Sequence, residues 1–129
     1  MTALVLDASA AVRMVLSPAD HDGMLVEVAK ASDVLAPHLY AAEAGNALWK
    51  YYRSDKIDAQ ALRERHAEAL ALVSIWVPDT TLFPEALALA ARCHHPVYDC
   101  VYLVTARRFD AALLTADRRL AELHRELQA

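Results

Sequence analysis

Four short apolar runs constrain this chain most: residues 3–6 (Ala-Leu-Val-Leu), 34–36 (Val-Leu-Ala), 75–77 (Ile-Trp-Val) and 112–115 (Ala-Leu-Leu-Thr). None alternates polar with apolar residues, so each reads as a strand buried on both faces. The stretches between them are too long for hairpins and carry apolar residues at helical spacing. Such strands are joined by helical crossovers and run parallel. The expected fold class is α/β, a three-layer α/β/α sandwich with a short parallel sheet. Helices are expected over 8–16, 20–31, 38–53, from a cap at Asp58 to 73, and over 81–94, 98–109 and 117–127. Pro84 is acceptable in a first helical turn. The predicted organisation is a single domain over residues 1–129, with no linker, repeat or low-complexity tract.

Composition narrows the function classes. Only 2 glycines and 57% hydrophobic residues exclude a largely disordered chain. A formal net charge of −4 argues against a basic protein that coats nucleic acid. Yet 10 of the 13 cations are arginine, the better partner for phosphate. Two cysteines, Cys93 and Cys100, are too few for a disulfide scaffold and suit a reducing compartment. No basic residue precedes Asp7, and no apolar run approaches the roughly 20 residues of a membrane helix. A soluble cytoplasmic protein with no membrane partner is expected.

Ligands of parallel sheets gather beyond the carboxyl ends of the strands. Asp7 directly follows the first run, and Asp117 lies two residues after Thr115 at the end of the fourth. Asp99 opens the helix before the fourth strand, and Glu43 sits in the second turn of the helix after the second. All four can face one edge of one sheet. Taken singly, Asp7, Asp99 and Asp117 read as helix caps. Glu43 resists that reading: between Leu39 and Tyr52 the only other charged residue is Lys50. A carboxylate on such an apolar face needs a partner, and Asn46 lies one turn on. Four converging carboxylates repel one another unless a cation intervenes. An all-oxygen acidic pocket suits Mg²⁺ or Mn²⁺ rather than zinc, and such a site hydrolyses phosphodiesters.

Four segments carry a resemblance. They are 5–10 (Val-Leu-Asp-Ala-Ser-Ala); Pro37 with Glu43, Asn46, Ala47 and Leu48; Tyr98-Asp99-Cys100 with Tyr102 and Leu103; and 113–120 (Leu-Leu-Thr-Ala-Asp-Arg-Arg-Leu). In this order, spanning nearly the whole chain, they resemble PIN domains, and most of all the VapC-type toxins of bacterial and archaeal toxin–antitoxin pairs. The 18-residue step from Asp99 to Asp117 is typical of that family. The resemblance implies a Mg²⁺- or Mn²⁺-dependent endoribonuclease. Asp7, Glu43, Asp99 and Asp117 would be its catalytic and metal-binding set, with Asp7 and Asp99 the most direct ligands. Ser9 and Thr115 match hydroxyl positions near the metal, and Asn46 a polar position associated with the site. The implied partners are RNA, often tRNA or rRNA, a cognate antitoxin protein, and a second copy in a homodimer. Metal-activated hydrolysis would leave 5′-phosphate and 3′-hydroxyl ends. His38 stands where many members carry a small capping residue.

Arg13, Lys50, Arg53, Arg107, Arg108, Arg118 and Arg119 are candidate RNA contacts. Tyr40, Trp49, Tyr51 and Tyr52 can stack bases, but their helical spacing favours core or interface roles. Met14, Leu16, Met24, Leu25 and Trp49 offer a groove for an antitoxin segment, with plain core packing as the alternative. Cys93, His94, His95 and Cys100 fit no standard zinc spacing and read as free thiols and surface histidines. Three other readings compete. A receiver-type phosphotransfer domain lacks its lysine after a late strand, since only Lys30, Lys50 and Lys56 occur. A non-toxin RNA-processing PIN nuclease would keep the same site. A binding module would use the carboxylates only as helix caps.

Overall fold

The computed structural model describes residues 2–128. Four strands form one parallel sheet: β1 (Leu4–Leu6), β2 (Val34–Pro37), β3 (Ile75–Val77) and β4 (Ala112–Leu114), in the order β3-β2-β1-β4. Around it lie α1 (Ala8–Leu16), α2 (Asp22–Lys30), α3 (Leu39–Arg53), α4 (Ala59–Ala71), α5 (Phe83–Cys93), α6 (Val97–Arg108) and α7 (Arg118–Gln128).

The strand order dictates the layers. The chain steps from β1 to β2 to β3 in one direction, so right-handed crossovers put α1–α4 on one face. It then returns past β1 to reach β4, which puts α5 and α6 on the other. The packing agrees: α1, α3 and α4 contact one another, α5 packs on α6, and α6 lies against β1, β2 and β4. The three-layer α/β/α expectation holds. Helix α6 is buried continuously from Cys100 to Ala106, as a helix between a sheet and a covering helix must be.

The order in which the chain lays down strands turns back between β1 and β4, the switch point beside which ligands of open α/β sheets bind. Leu6 pairs with Leu114, so Asp7 and Thr115 leave the sheet side by side. The Asp7 N–H donates to Leu114 O at 3.0 Å and locks that register.

Several local expectations change. The helix expected over 20–31 is split: residues Pro18–Asp20 form a 3-10 turn, and α2 begins at Asp22. A second 3-10 turn, Asp79–Thr81, precedes α5. Pro37 belongs to β2 rather than ending it, pairing with Val77 beyond the last β1–β2 pair. Runs 75–77 and 112–115 are not buried on both faces. β3 and β4 are the edge strands, and Ile75, Trp76 and Ala112 are exposed. Trp76 packs edge-on against Tyr40 at 5.6 Å. Asp58 caps α4 as expected, accepting from the Ala61 N–H at 2.7 Å. Among the described residues, no helix is long and apolar enough to cross a membrane.

Candidate active site

Asp7 follows β1 and precedes α1, yet its side chain makes no cap hydrogen bond. Oδ2 instead accepts from Ser9 Oγ and Thr115 Oγ1, each at 2.6 Å. Ser9 Oγ accepts from the Ala116 N–H and Thr115 Oγ1 from the Asp117 N–H, both at 3.0 Å. With backbone donors on their lone pairs, both hydroxyl protons point at Asp7. The carboxylate is only 6% exposed and has one orientation, fixed by residues 106 and 108 positions apart that the β1–β4 register unites.

Asp117 caps α7 as its spacing suggested. Oδ1 accepts from the N–H groups of Arg119 at 2.9 Å and Leu120 at 3.3 Å. Asp99 lies in the first turn of α6, where Pro96 holds the cap position. Its Oδ2 meets His95 Nε2 at 2.9 Å. His95 is not the expected surface histidine, because its side chain is 7% exposed. The α5–α6 turn forces it inward, with His94 left-handed at φ 52° and the His95 N–H tied to Ala90 O. Glu43 accepts from the buried Tyr102 hydroxyl of α6 at 2.7 Å.

The carboxylates sense one another. Burial raises the Glu43 carboxyl to about 7; the Tyr102 hydroxyl opposes this, while Asp7, Asp99 and Asp79 add to it. Burial also raises Asp99, opposed by the His95 hydrogen bond and charge and reinforced by Asp117 and Asp7. The ion pairs present lie elsewhere, apart from His95–Asp99. The result is a negatively charged group of carboxylates with His95 beside Asp99 and no Lys or Arg paired to it among the described residues. Such a donor set suits a hard divalent cation.

The expected convergence is looser than a closed cage. No three His, Cys, Asp or Glu side chains among the described residues are gathered tightly enough to hold a metal ion as they stand. Each carboxylate instead turns toward its own donor, whether Ser9 and Thr115, Tyr102, His95 or the start of α7.

Other expected residues are placed differently. Asn46 is exposed and makes no hydrogen bond to the carboxylates. Arg13, Lys50, Arg53, Arg118 and Arg119 are exposed, whereas Arg107 and Arg108 reach toward Glu85. Tyr40 is core, its hydroxyl bonded to Ala69 O, but Trp49, Tyr51 and Tyr52 are surface residues. Met14 is core, and Leu16, Met24 and Leu25 pack partly buried against it. Cys93 and Cys100 are free thiols, and burial pushes Cys100 up to about 11.

Three residues were not assigned roles from sequence. Tyr102, three residues after Asp99, shares its helical face, a signal that was there to use. His95 precedes Asp99 by four, but Pro96 hides the relation. Asp79 leaves no local signal: it accepts from the Leu39 N–H at 3.0 Å, capping α3 from 40 residues away where His38 makes no cap bond.

Comparison with known proteins gives consistent findings. The PIN domain family matches residues 4–126. Ribonuclease VapC1 of Mycobacterium tuberculosis is 32% identical over 123 residues, covering 94% of this chain and 90% of that protein. Ribonuclease VapC3 of Pyrobaculum aerophilum is 32% identical over 127 residues, covering 92% of each. The crystal structure of PAE2754 from Pyrobaculum aerophilum superposes with a TM-score of 0.72 at 28% identity, over 98% of this chain and 90% of that one.

Proposed function

The chain belongs to the PIN domain family, and from that premise we propose that residues 1–129 form a metal-dependent endoribonuclease, the toxin of a VapBC-type pair. The observation that carries the reading is the group of carboxylates around Asp7, paired with no Lys or Arg among the described residues, at the sheet edge where the strand order turns back. Two relatives named as VapC ribonucleases support the activity class.

Asp7 and Asp99, completed by Glu43 and Asp117, would hold Mg²⁺ or Mn²⁺. Bound there, the cation supplies Lewis-acid neutralisation of phosphoryl charge and a more acidic water. The protein's own groups do the rest. Ser9 and Thr115 hold Asp7 in one orientation. The start of α7 fixes Asp117. Glu43, hydrogen-bonded by Tyr102 beside the other carboxylates, would complete the metal set or orient water. Water oxygen joins phosphorus, the bond from phosphorus to the 3′ oxygen breaks, and that oxygen takes a proton from solvent. The ends are a 5′-phosphate and a 3′-hydroxyl. The proposed partners are structured RNA such as tRNA or rRNA, a cognate antitoxin and a second copy of the chain. The proposed compartment is the cytoplasm.

The test is cleavage of total cellular RNA by purified protein with Mg²⁺, with Mn²⁺ and with EDTA, alongside Asp7→Asn and Asp99→Asn. Discrete cleavage that needs metal and both carboxylates is expected. Equal cleavage by the variants, or none with any metal and no metal-induced shift in Tm, overturns the reading.

A further inference from the structure

Helix α3 leaves the crevice with one face uncommitted. Tyr40, Ala44 and Leu48 are buried in the core. Glu43, Asn46, Lys50 and Arg53 follow one another at steps of three, four and three, which places them in one row on a helix. The row runs about 15 Å from Glu43 to Arg53 at the α-helical rise of about 1.5 Å per residue. Asn46, Lys50 and Arg53 are all exposed. Trp49, 42% exposed, borders the row, and the Arg53 guanidinium lies 4.8 Å from its ring centre.

The exposed charges on α1 and α3 differ in sign from those of the chain as a whole. Helix α1, packed against α3, has one charged residue, the exposed Arg13. Across α1 and α3 the only acidic side chain is Glu43, against Arg13, Lys50 and Arg53. None of these three cations is in an ion pair among the described residues. In a chain of net charge −4, Lys50 and Arg53, without an ion pair and in a row that starts at the acidic group, are complementary to a polyanion lying along α3.

Resting on the ribonuclease reading, we propose that the Glu43–Arg53 face of α3 is the track for single-stranded RNA flanking the scissile bond. Lys50 and Arg53 meet successive phosphates, the Asn46 amide bonds the sugar–phosphate nearest the crevice, and Trp49 stacks on an unpaired base. Duplex RNA has no free base faces to offer an indole, whereas a single strand does. An acidic protein segment would satisfy the cations but leave the indole without a stacking partner.

The test is the affinity of the whole protein for a short labelled single-stranded RNA, by fluorescence anisotropy in EDTA so that nothing is cleaved, across a salt series. Lys50→Gln with Arg53→Gln is expected to weaken binding about tenfold and flatten the salt slope by about 1.4, the value for two single-strand phosphate contacts. Trp49→Leu is expected to weaken it at least about fivefold with the slope kept. Arg53→Lys keeps the slope and loses affinity, because charge remains and the planar stack does not. Arg63→Gln, exposed on α4, is the control and changes nothing. Unaltered affinity and slope in the double variant, with wild-type circular dichroism, overturn the track. If wild type still cleaves RNA in that case, the ribonuclease reading stands without it. Wild type that neither binds nor cleaves RNA overturns both.

Discussion

The Tyr102 hydroxyl donates to Glu43 Oε1 at 2.7 Å, joining the helix layers on opposite faces of the sheet at its carboxyl edge. It is a buried phenol serving a carboxylate that burial and its neighbours drive toward protonation. Tyr102→Phe removes the hydroxyl that steadies ionised Glu43. Without metal the carboxyl then rises above about 7, and the fall of Tm with pH in EDTA moves to higher pH. A cost of about 1–3 kcal/mol in stability accompanies it, for a half-buried acceptor left unpaired. Tm against pH in EDTA, beside denaturant unfolding, checks both.

The same carboxylate sets a pH dependence of stability without metal. Its folded value, about 7, lies above the unfolded 4.5, so the folded state binds more protons between them. Stability therefore falls as pH rises from about 4.5 through about 7. Glu43 keeps some solvent contact, so the loss is discounted to about 1–2 kcal/mol. Tm in EDTA should drop by a few degrees between pH 5 and pH 8, and Glu43→Gln should flatten that drop. Mg²⁺ or Mn²⁺ should raise Tm more at pH 8 than at pH 5. A flat wild-type profile contradicts this.

Thr115 carries two bonds at once, to Asp7 Oδ2 and from the Asp117 N–H. Thr115→Val keeps the shape and loses both, so the expected cost is about 2–4 kcal/mol from two neighbouring unpaired groups. Thr115→Ser should restore most of it. Activity should follow stability less closely than it follows Asp7 orientation: kcat falls at least about tenfold with KM little changed, measured on an RNA that wild type cleaves.

Asp79 has separable effects, capping α3 and adding negative charge beside Glu43. Asp79→Asn keeps an acceptor for the Leu39 N–H and removes the charge, so the Glu43 step in Tm against pH in EDTA moves to lower pH with stability nearly intact. Asp79→Ala loses the cap as well, at about 1 kcal/mol. Equal stabilities for the two variants contradict the capping role.

Much of this protein is written locally. Strand length and the absence of alternation specify a buried parallel sheet, and parallel strands bring their carboxyl ends to one edge whatever their order. That alone places Asp7 and Asp117 near each other, with Glu43 conspicuous on an apolar helix. Strand order is not local. The run 75–77 is as apolar as 34–36, yet it lies at an edge with Trp76 exposed, because edge position depends on which strands pair. The partners of the carboxylates were equally hidden. Ser9 and Thr115 reach Asp7 because β1 pairs with β4 in one register, Tyr102 reaches Glu43 across the sheet, and Asp79 caps a helix 40 residues before it. Hydrophobic periodicity is a property of neighbours along the chain and can be read from it. Which carboxylate is ionised, held or raised depends on burial and on charges brought together by packing, and these exist only once the sheet has closed between its two layers of helices.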